Sequence, residues 1–288
     1  LYDSEGRFER MRNRNPLKQA LKTFLFQSYY YATSIPVPFP KRLPWGDWWL
    51  SWNDEPSRLV RAYSFESAET GLIKKILKPD MTMIDAGAHH GYYTLLASSL
   101  LGDRGRVVCF EPSPRERQWI WMHLIANGRK NVKIEKSALG STTEMAEFFL
   151  SLDKQTGCNS LRYPKGVRYS LPIKVPVIPL DEYYFHSGMG RLDLIKMDVE
   201  GAERDVLIGG SGCIQKTRPW IICELSDIRT LRWKYRPTET VKILEKYGYA
   251  CHFIRPDGGL EPHWEKPVYE DNILAVPNER LAAMGNLT

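Results

Sequence analysis

Asp85, Gly87, Gly91 and Glu111 are residues whose types and spacing point to binding chemistry. Gly87 and Gly91 bracket the turn Gly87-Ala88-His89-His90-Gly91, and each lets the backbone approach a ligand with no Cβ in the way. A helix beginning at Gly91 presents free N–H groups to a carboxylate or phosphate. Asp85 lies in the end of the preceding apolar run, where it can accept from an ammonium, directly or through water. Glu111 stands 20 residues after Gly91, at the end of the next strand-like run. An acid there accepts both hydroxyls of a ribose. The set describes a grip on a nucleoside-bearing cofactor. The turn reads Gly-x-x-x-Gly and not Gly-x-Gly-x-x-Gly, which together with Asp85 favours S-adenosylmethionine over a dinucleotide.

A second group of acids follows the apolar run 192–197: Asp198, Glu200 and Glu203. Acids in the first turn of a helix favour its dipole by roughly 0.3–1 kcal/mol, and Glu200 and Glu203 share a face, so that is one reading of those two. Asp198 leaves the strand just before the turn and points at cofactor or substrate. It is the first candidate for a general base, with His90 and Glu200 next. Glu224 closes the run 220–223, and oxygen ligands from Asp198 and Glu224 would suit a divalent cation such as Mg²⁺. The sequence shows no cage, so the metal requirement stays open.

These residues need a scaffold that brings strand ends together. Residues 82–86, 106–110, 132–139, 192–197 and 220–223 read as buried strands. Between them, 92–101 and the stretch from Ser113 to about 126 read as helices, the latter opened by the capping box Ser113-Pro114-Arg115-Glu116. Helices are also expected at 68–77 and 238–247, and a closing antiparallel pair at 249–254 and 272–276. Residues 146–151 and 173–178 are strand-like and flank a polar loop at 154–160. Strands alternating with helices imply an α/β fold, a mostly parallel sheet covered on both faces. Ligands of such sheets bind beyond the carboxyl ends of the strands, where Asp85, Glu111, Asp198 and Glu224 all fall. The end of 132–139 should lie beside an adenine, which makes Ser137, Ala138 and Leu139 contact candidates.

Residues 1–64 stand apart. Residues 1–43 hold eight Lys/Arg against three acids, net +5 of the chain's +6. Such an arm is either a solvated tail or a contact for an anionic surface. A helix is expected at 17–31. Repeated Pro at 36–40 excludes helix there, and Trp45, Trp48, Trp49 and Trp52 form either a cap packed on the body or an aromatic wall for a substrate. The division expected is an arm and cap over 1–64 and a cofactor-binding domain over 65–288. Five cysteines without Cys-x-x-Cys spacing, three of them in apolar runs, suit a reducing, cytoplasmic setting. No apolar run approaches the ~20 residues of a membrane span.

The segments Ile84-Asp85-Ala86-Gly87-Ala88, Gly91-Tyr92-Tyr93-Thr94, Phe110-Glu111-Pro112-Ser113-Pro114 and Asp193-Leu194-Ile195-Lys196-Met197-Asp198-Val199-Glu200-Gly201-Ala202-Glu203 together resemble the FkbM family of S-adenosylmethionine-dependent methyltransferases. Phe65-Glu66 and the run 272–277 resemble that family's edges. The resemblance spans about residues 63–277, and the Asp-Val-Glu-Gly-Ala-Glu stretch is its most specific part. It implies a seven-stranded, Rossmann-like methyltransferase fold and O-methylation of hydroxyls on sugars, glycans or secondary metabolites. It also implies that Glu66, Asp85, Gly87, Ala88, His89, Gly91, Glu111, Pro112 and Asp198 line the cofactor. The family usually has Asn where His89 stands. An imidazole there either replaces Asn as a donor or titrates near neutral pH.

Other classes fit less well. A nicotinamide-dependent oxidoreductase would want Gly-x-Gly-x-x-Gly, which is absent. A nucleic-acid base methyltransferase would want an Asp/Asn-Pro-Pro-Tyr/Phe motif, also absent, so no nucleic-acid partner is expected. A non-catalytic module that binds a partner through its arm and Trp cluster stays open, as does a dimer through that arm.

Overall fold

The computed structural model describes residues 39–51, 55–62, 65–152, 156–164, 167 and 169–286. The helix expected at 17–31, most of the basic arm and Trp52 lie outside the described residues.

The strands are β1 (Phe39–Arg42), β2 (Trp48–Ser51), β3 (Thr82–Ala86), β4 (Arg106–Phe110), β5 (Val132–Glu135), β6 (Ala138–Gly140), β7 (Glu144–Ser151), β8 (Ser170–Pro179), β9 (Leu194–Met197), β10 (Trp220–Ser226), β11 (Tyr249–Ile254), β12 (Leu260–Pro262) and β13 (Glu270–Pro277). Eight of them form the main sheet in the order β12-β11-β13-β10-β9-β3-β4-β5. Strands β10, β9, β3, β4 and β5 are mutually parallel, and β13 runs antiparallel between β10 and β11. This is the expected Rossmann-like methyltransferase arrangement with its antiparallel closing pair. It carries one strand more than the seven expected, because the chain turns at 256–259 and three residues pair back onto β11.

The core forms on both faces by strict alternation. Ile84, Ala86, Val108 and Phe110 pack on one side with Leu180, Val206 and Ile214. Met83 and Val107 pack on the other with Ile73, Leu96 and Leu101. Successive strand residues point to opposite faces, so each strand feeds both layers. Each fully buried aliphatic side chain contributes about 1.5–3 kcal/mol, so the strand ends sit on a stiff base.

Two expectations on the chain path change. The run 132–139 is not one strand. It breaks after Glu135, and β6 leaves the main sheet to pair in parallel with β8, which in turn pairs with β7. Secondly, β10 continues past Cys223 to Ser226, because β13 pairs along its whole length. Glu224 therefore lies inside a strand, opposite Asn272, and not at a strand end.

β1 and β2 form a hairpin that packs on the body. Trp49 is buried, with its ring stacked on His123 at 3.9 Å and its edge against Tyr92 at 5.9 Å. Trp45 meets Tyr92 edge-on at 5.3 Å.

Candidate active site

The turn after β3 is shaped by its glycines. Gly87 has φ +79° and Gly91 φ +83°. A Cβ on Gly87 would lie 1.8 Å from the backbone oxygen of Asp198, so the turn and the β9 exit touch through backbone alone. His89 also adopts a positive φ, +50°. Its amide donates to Glu111 Oε2 at 2.8 Å, and the Ser113 amide donates to Oε1 at 2.8 Å. The Glu111 carboxyl is thus aimed by two backbone N–H groups at the end of β4. Burial pushes it up to about 8, with the nearby Glu116 adding to the effect.

The expected capping box forms differently. Ser113 does begin the Pro114–Ala126 helix, but its hydroxyl donates to the Glu116 carboxylate and caps no backbone group. Arg115 takes the other side of Glu116 at 2.6 Å.

Two cavities meet at this turn. One, about 520 Å³ including its open mouth, is lined by Gly87, Phe110, Glu111, Leu139, Leu161 and Asp198 among others. The second, about 410 Å³, lies between the turn and the N-terminal segments, against Trp49, Phe65, Asp85, Tyr93, Lys196 and Asp198. Gly87, His89 and Asp198 border both. Ala138, Pro112 and Glu200 line the first cavity and Ala88 and His90 the second. Ser137 is buried just ahead of β6 and lines neither.

The charge at the centre of the site is Lys196, a residue to which sequence reasoning assigned no role. Its ammonium is buried in β9, 3.4 Å from Asp198 Oδ2 and 5.1 Å from the centre of the Tyr93 ring. Strand order explains the cluster. Asp85 is the register partner of Lys196, so both side chains leave the same face of the sheet. Burial works against a charged lysine, but Asp198, Glu66, Asp85 and Glu224 more than offset it and hold its pKa above the usual lysine range. Asp85 accepts from Thr94 Oγ1 at 2.5 Å, and burial lifts it to about 6. Glu224 is lifted to about 8, first by burial and then by Asp198. Glu66 has φ +37° and accepts from the Tyr93 hydroxyl. The signal for Lys196 was present in the chain: a lysine inside a four-residue strand that is otherwise apolar.

The remaining predicted residues have defined surroundings. Asp198 is 38% exposed at its side chain, so it faces the cleft with Lys196 behind it. Glu200, at φ +55°, is ion-paired to Arg229 at 2.9 Å. Glu203 accepts from the Val199 and Gly201 amides at 3.1 and 3.4 Å and so holds the turn after Asp198 in shape. His90 is buried, stacked on His89 at 3.8 Å, and burial with its charged neighbours drives its pKa well below the usual histidine range. His89 Nε2 lies 3.2 Å from Thr156 Oγ1, which ties the turn to the 156–161 segment over the first cavity. His123 spans from the Leu50 carbonyl to the His90 carbonyl, each at 2.9 Å, and joins the hairpin to the 87–91 turn. Among the described residues, His89, His90 and Glu116 form a group of three metal-ligating side chains, and Arg115 already holds the Glu116 carboxylate.

An α/β sheet with a Gly-rich turn and an acid at adjacent strand ends has the architecture of a Rossmann-like nucleoside-cofactor fold. Residues 85–251 match the Methyltransferase FkbM domain, more than half of the chain. The chain belongs to the FkbM methyltransferase family. It is 30% identical to the 2-O-methyltransferase NoeI of Sinorhizobium fredii over 194 residues, 64% of this chain and 79% of that protein. It is 26% identical to Methyltransferase 1 of Beauveria bassiana over 62% of this chain and 76% of that one. A solved FkbM methyltransferase from Methylobacillus flagellatus superposes with a TM-score of 0.43 at 17% identity, over 69% of this chain and 44% of that one.

S-adenosylmethionine is the cofactor of this methyltransferase, and the cleft fits it. Glu111 would offer a carboxyl to vicinal hydroxyls, Phe110, Leu139 and Leu161 would offer an apolar slot for a base, and Asp85 would offer an acceptor to an ammonium. No helix among the described residues is long and apolar enough to cross a membrane.

Proposed function

We propose that this chain methylates a hydroxyl oxygen of a sugar, glycan or secondary metabolite, with Asp198 as the general base. The observation that carries the reading is the position of Asp198, partly exposed on the rim shared by both cavities and fixed from behind by Lys196. The bound cofactor supplies a methyl group already activated on a sulfonium. The protein therefore contributes alignment and a proton acceptor. Asp198 takes the proton from the acceptor hydroxyl, a contribution of about 10²–10⁴-fold. Glu111 and Asp85 hold the cofactor, and Phe148 and Leu161, apolar in the lining of the first cavity, keep water from the cleft. Glu200 is committed to Arg229 and His90 is enclosed, so Asp198 has the better access. The 2-O-methyl specificity in the name of the NoeI relative supports an oxygen acceptor. We further assign the hairpin 39–51 to a cap that closes the second cavity over the body.

The test measures S-adenosylhomocysteine release against a panel of glycans and small hydroxylated metabolites, with calorimetric binding of S-adenosylhomocysteine alongside. Asp198→Asn should lose turnover by at least about 10²-fold while cofactor binding changes little. Near-normal turnover in that variant would remove Asp198 from the role.

A further inference from the structure

Beyond Glu200 the cleft continues into a smaller recess lined by Ser160, Arg162, Tyr163, Ile228, Arg229 and Arg232. Two segments build it, 160–164 from the excursion after β7 and the helical turns 227–233 after β10. Three guanidinium groups border it, with Glu200 as the acid in the lining. Arg229 is spent on that acid, Nε to Oε2 at 2.9 Å. Among the described residues, no carboxylate pairs with Arg162 or Arg232, and both are exposed.

An exposed arginine is ordinarily a solvated surface charge. Arg162 is more than that, because its guanidinium lies 4.6 Å from the centre of the Trp233 ring. Trp233 is itself held, since its Nε1 donates to the Glu200 carbonyl at 3.1 Å. The Ser160 hydroxyl donates to the same carbonyl at 3.1 Å. Stacking on a fixed indole orients the arginine fork before any ligand arrives, which lowers the entropy lost on binding. Gathering like charges at one recess is unfavourable until an anion enters.

We propose that the mouth of this recess, where Arg162 and Arg232 are exposed, binds an anionic group of the methyl acceptor, a carboxylate or a phosphate, through those two side chains. The planar guanidinium forks match either oxyanion in a bidentate contact. Glu200 neutralises Arg229 and marks the boundary between this recess and the cleft at Asp198. The acceptor class is thus a hydroxylated molecule with an acidic substituent, such as a uronic acid or a sugar phosphate. This rests on the reading of the main cleft as a hydroxyl methyltransferase site.

The test is calorimetry on the full chain saturated with S-adenosylhomocysteine, titrated separately with glucuronate, inorganic phosphate and glucose. Glucuronate or phosphate should bind at least about tenfold tighter than glucose, the scale of one charge-assisted contact. The Arg162→Ala/Arg232→Ala double variant should bring the anions to the level of glucose and leave S-adenosylhomocysteine affinity unchanged. Preference for glucuronate assigns a carboxylate, and preference for phosphate a phosphorylated acceptor. Anions that bind no better than glucose, or equally well to the double variant, overturn the proposal. Failure of S-adenosylhomocysteine itself to bind would instead overturn the reading of the main cleft.

Discussion

Replacing Lys196 with Met keeps the shape of the side chain and removes a buried ammonium that interacts with Asp198, Glu66, Asp85 and Glu224. At 3.4 Å from Asp198 Oδ2, a pair at an effective dielectric of 20 interacts by about 5 kcal/mol. Asp198 is 38% exposed, so water screens part of that, and about 3 kcal/mol is the expected loss. For a chain of this size that lowers Tm by roughly 6–12 °C. The loss should depend on pH. Asp85 already sits near about 6 and Glu224 near about 8 with the ammonium in place, and both rise further without it. A carboxyl whose folded pKa exceeds its unfolded value stabilises the fold below the unfolded value, and that contribution is lost as pH rises through the folded value. The part of the deficit that runs through Asp85 and Glu224 should therefore be small near about pH 4 and grow through about pH 6 to 9, on top of the loss at Asp198. Thermal unfolding followed by circular dichroism across that range reads it directly. A deficit of equal size at both ends of the range would refute the account of Lys196 as the charge that balances these acids.

Other outcomes follow from the same geometry. Glu111 is held near about 8 by burial, while ribose hydroxyls donate best to its ionised form. S-adenosylhomocysteine affinity should thus rise with pH toward about 8, by at most tenfold per pH unit, and Glu111→Gln should flatten the slope in calorimetry. In Gly87→Ala the new Cβ would lie 1.8 Å from the Asp198 oxygen at a φ of +79°. That variant should lose more than about 1 kcal/mol of stability and weaken cofactor binding at least about tenfold, as seen by urea titration and calorimetry. Trp49→Ala removes a buried ring that stacks on His123 and borders the second cavity. A loss of about 3–5 kcal/mol is expected, measured by denaturant unfolding, and retention of full stability would show that the hairpin contributes nothing to the body.

Local chemistry made much of this protein readable from its sequence. The turn at 87–91 needs glycines because its backbone bends through positive φ against another strand's exit, and that requirement is written in residue types. Alternating apolar runs gave the parallel strands, because strands buried on both faces are apolar throughout. Glu111 and Asp198 were legible as site candidates because each follows such a run, and the parallel order brings those ends together. Glu224 was misplaced because nothing near it in the chain reveals that β13 pairs along all of β10. The 132–139 run split because β8, some forty residues further on, offers β6 a better partner than the edge of the main sheet.

The sequence by itself determined the Gly-rich turn, the alternating layers and the family signature, since each depends on neighbours along the chain. Only the tertiary structure decided that Lys196 stands beside Asp85, that Arg229 claims Glu200, and that Ala138 and Leu139 reach the cleft from a second sheet. Those are meetings between residues far apart in sequence. Strand order and register set them, and the energies that choose strand order are summed over the whole core and not encoded at any one position.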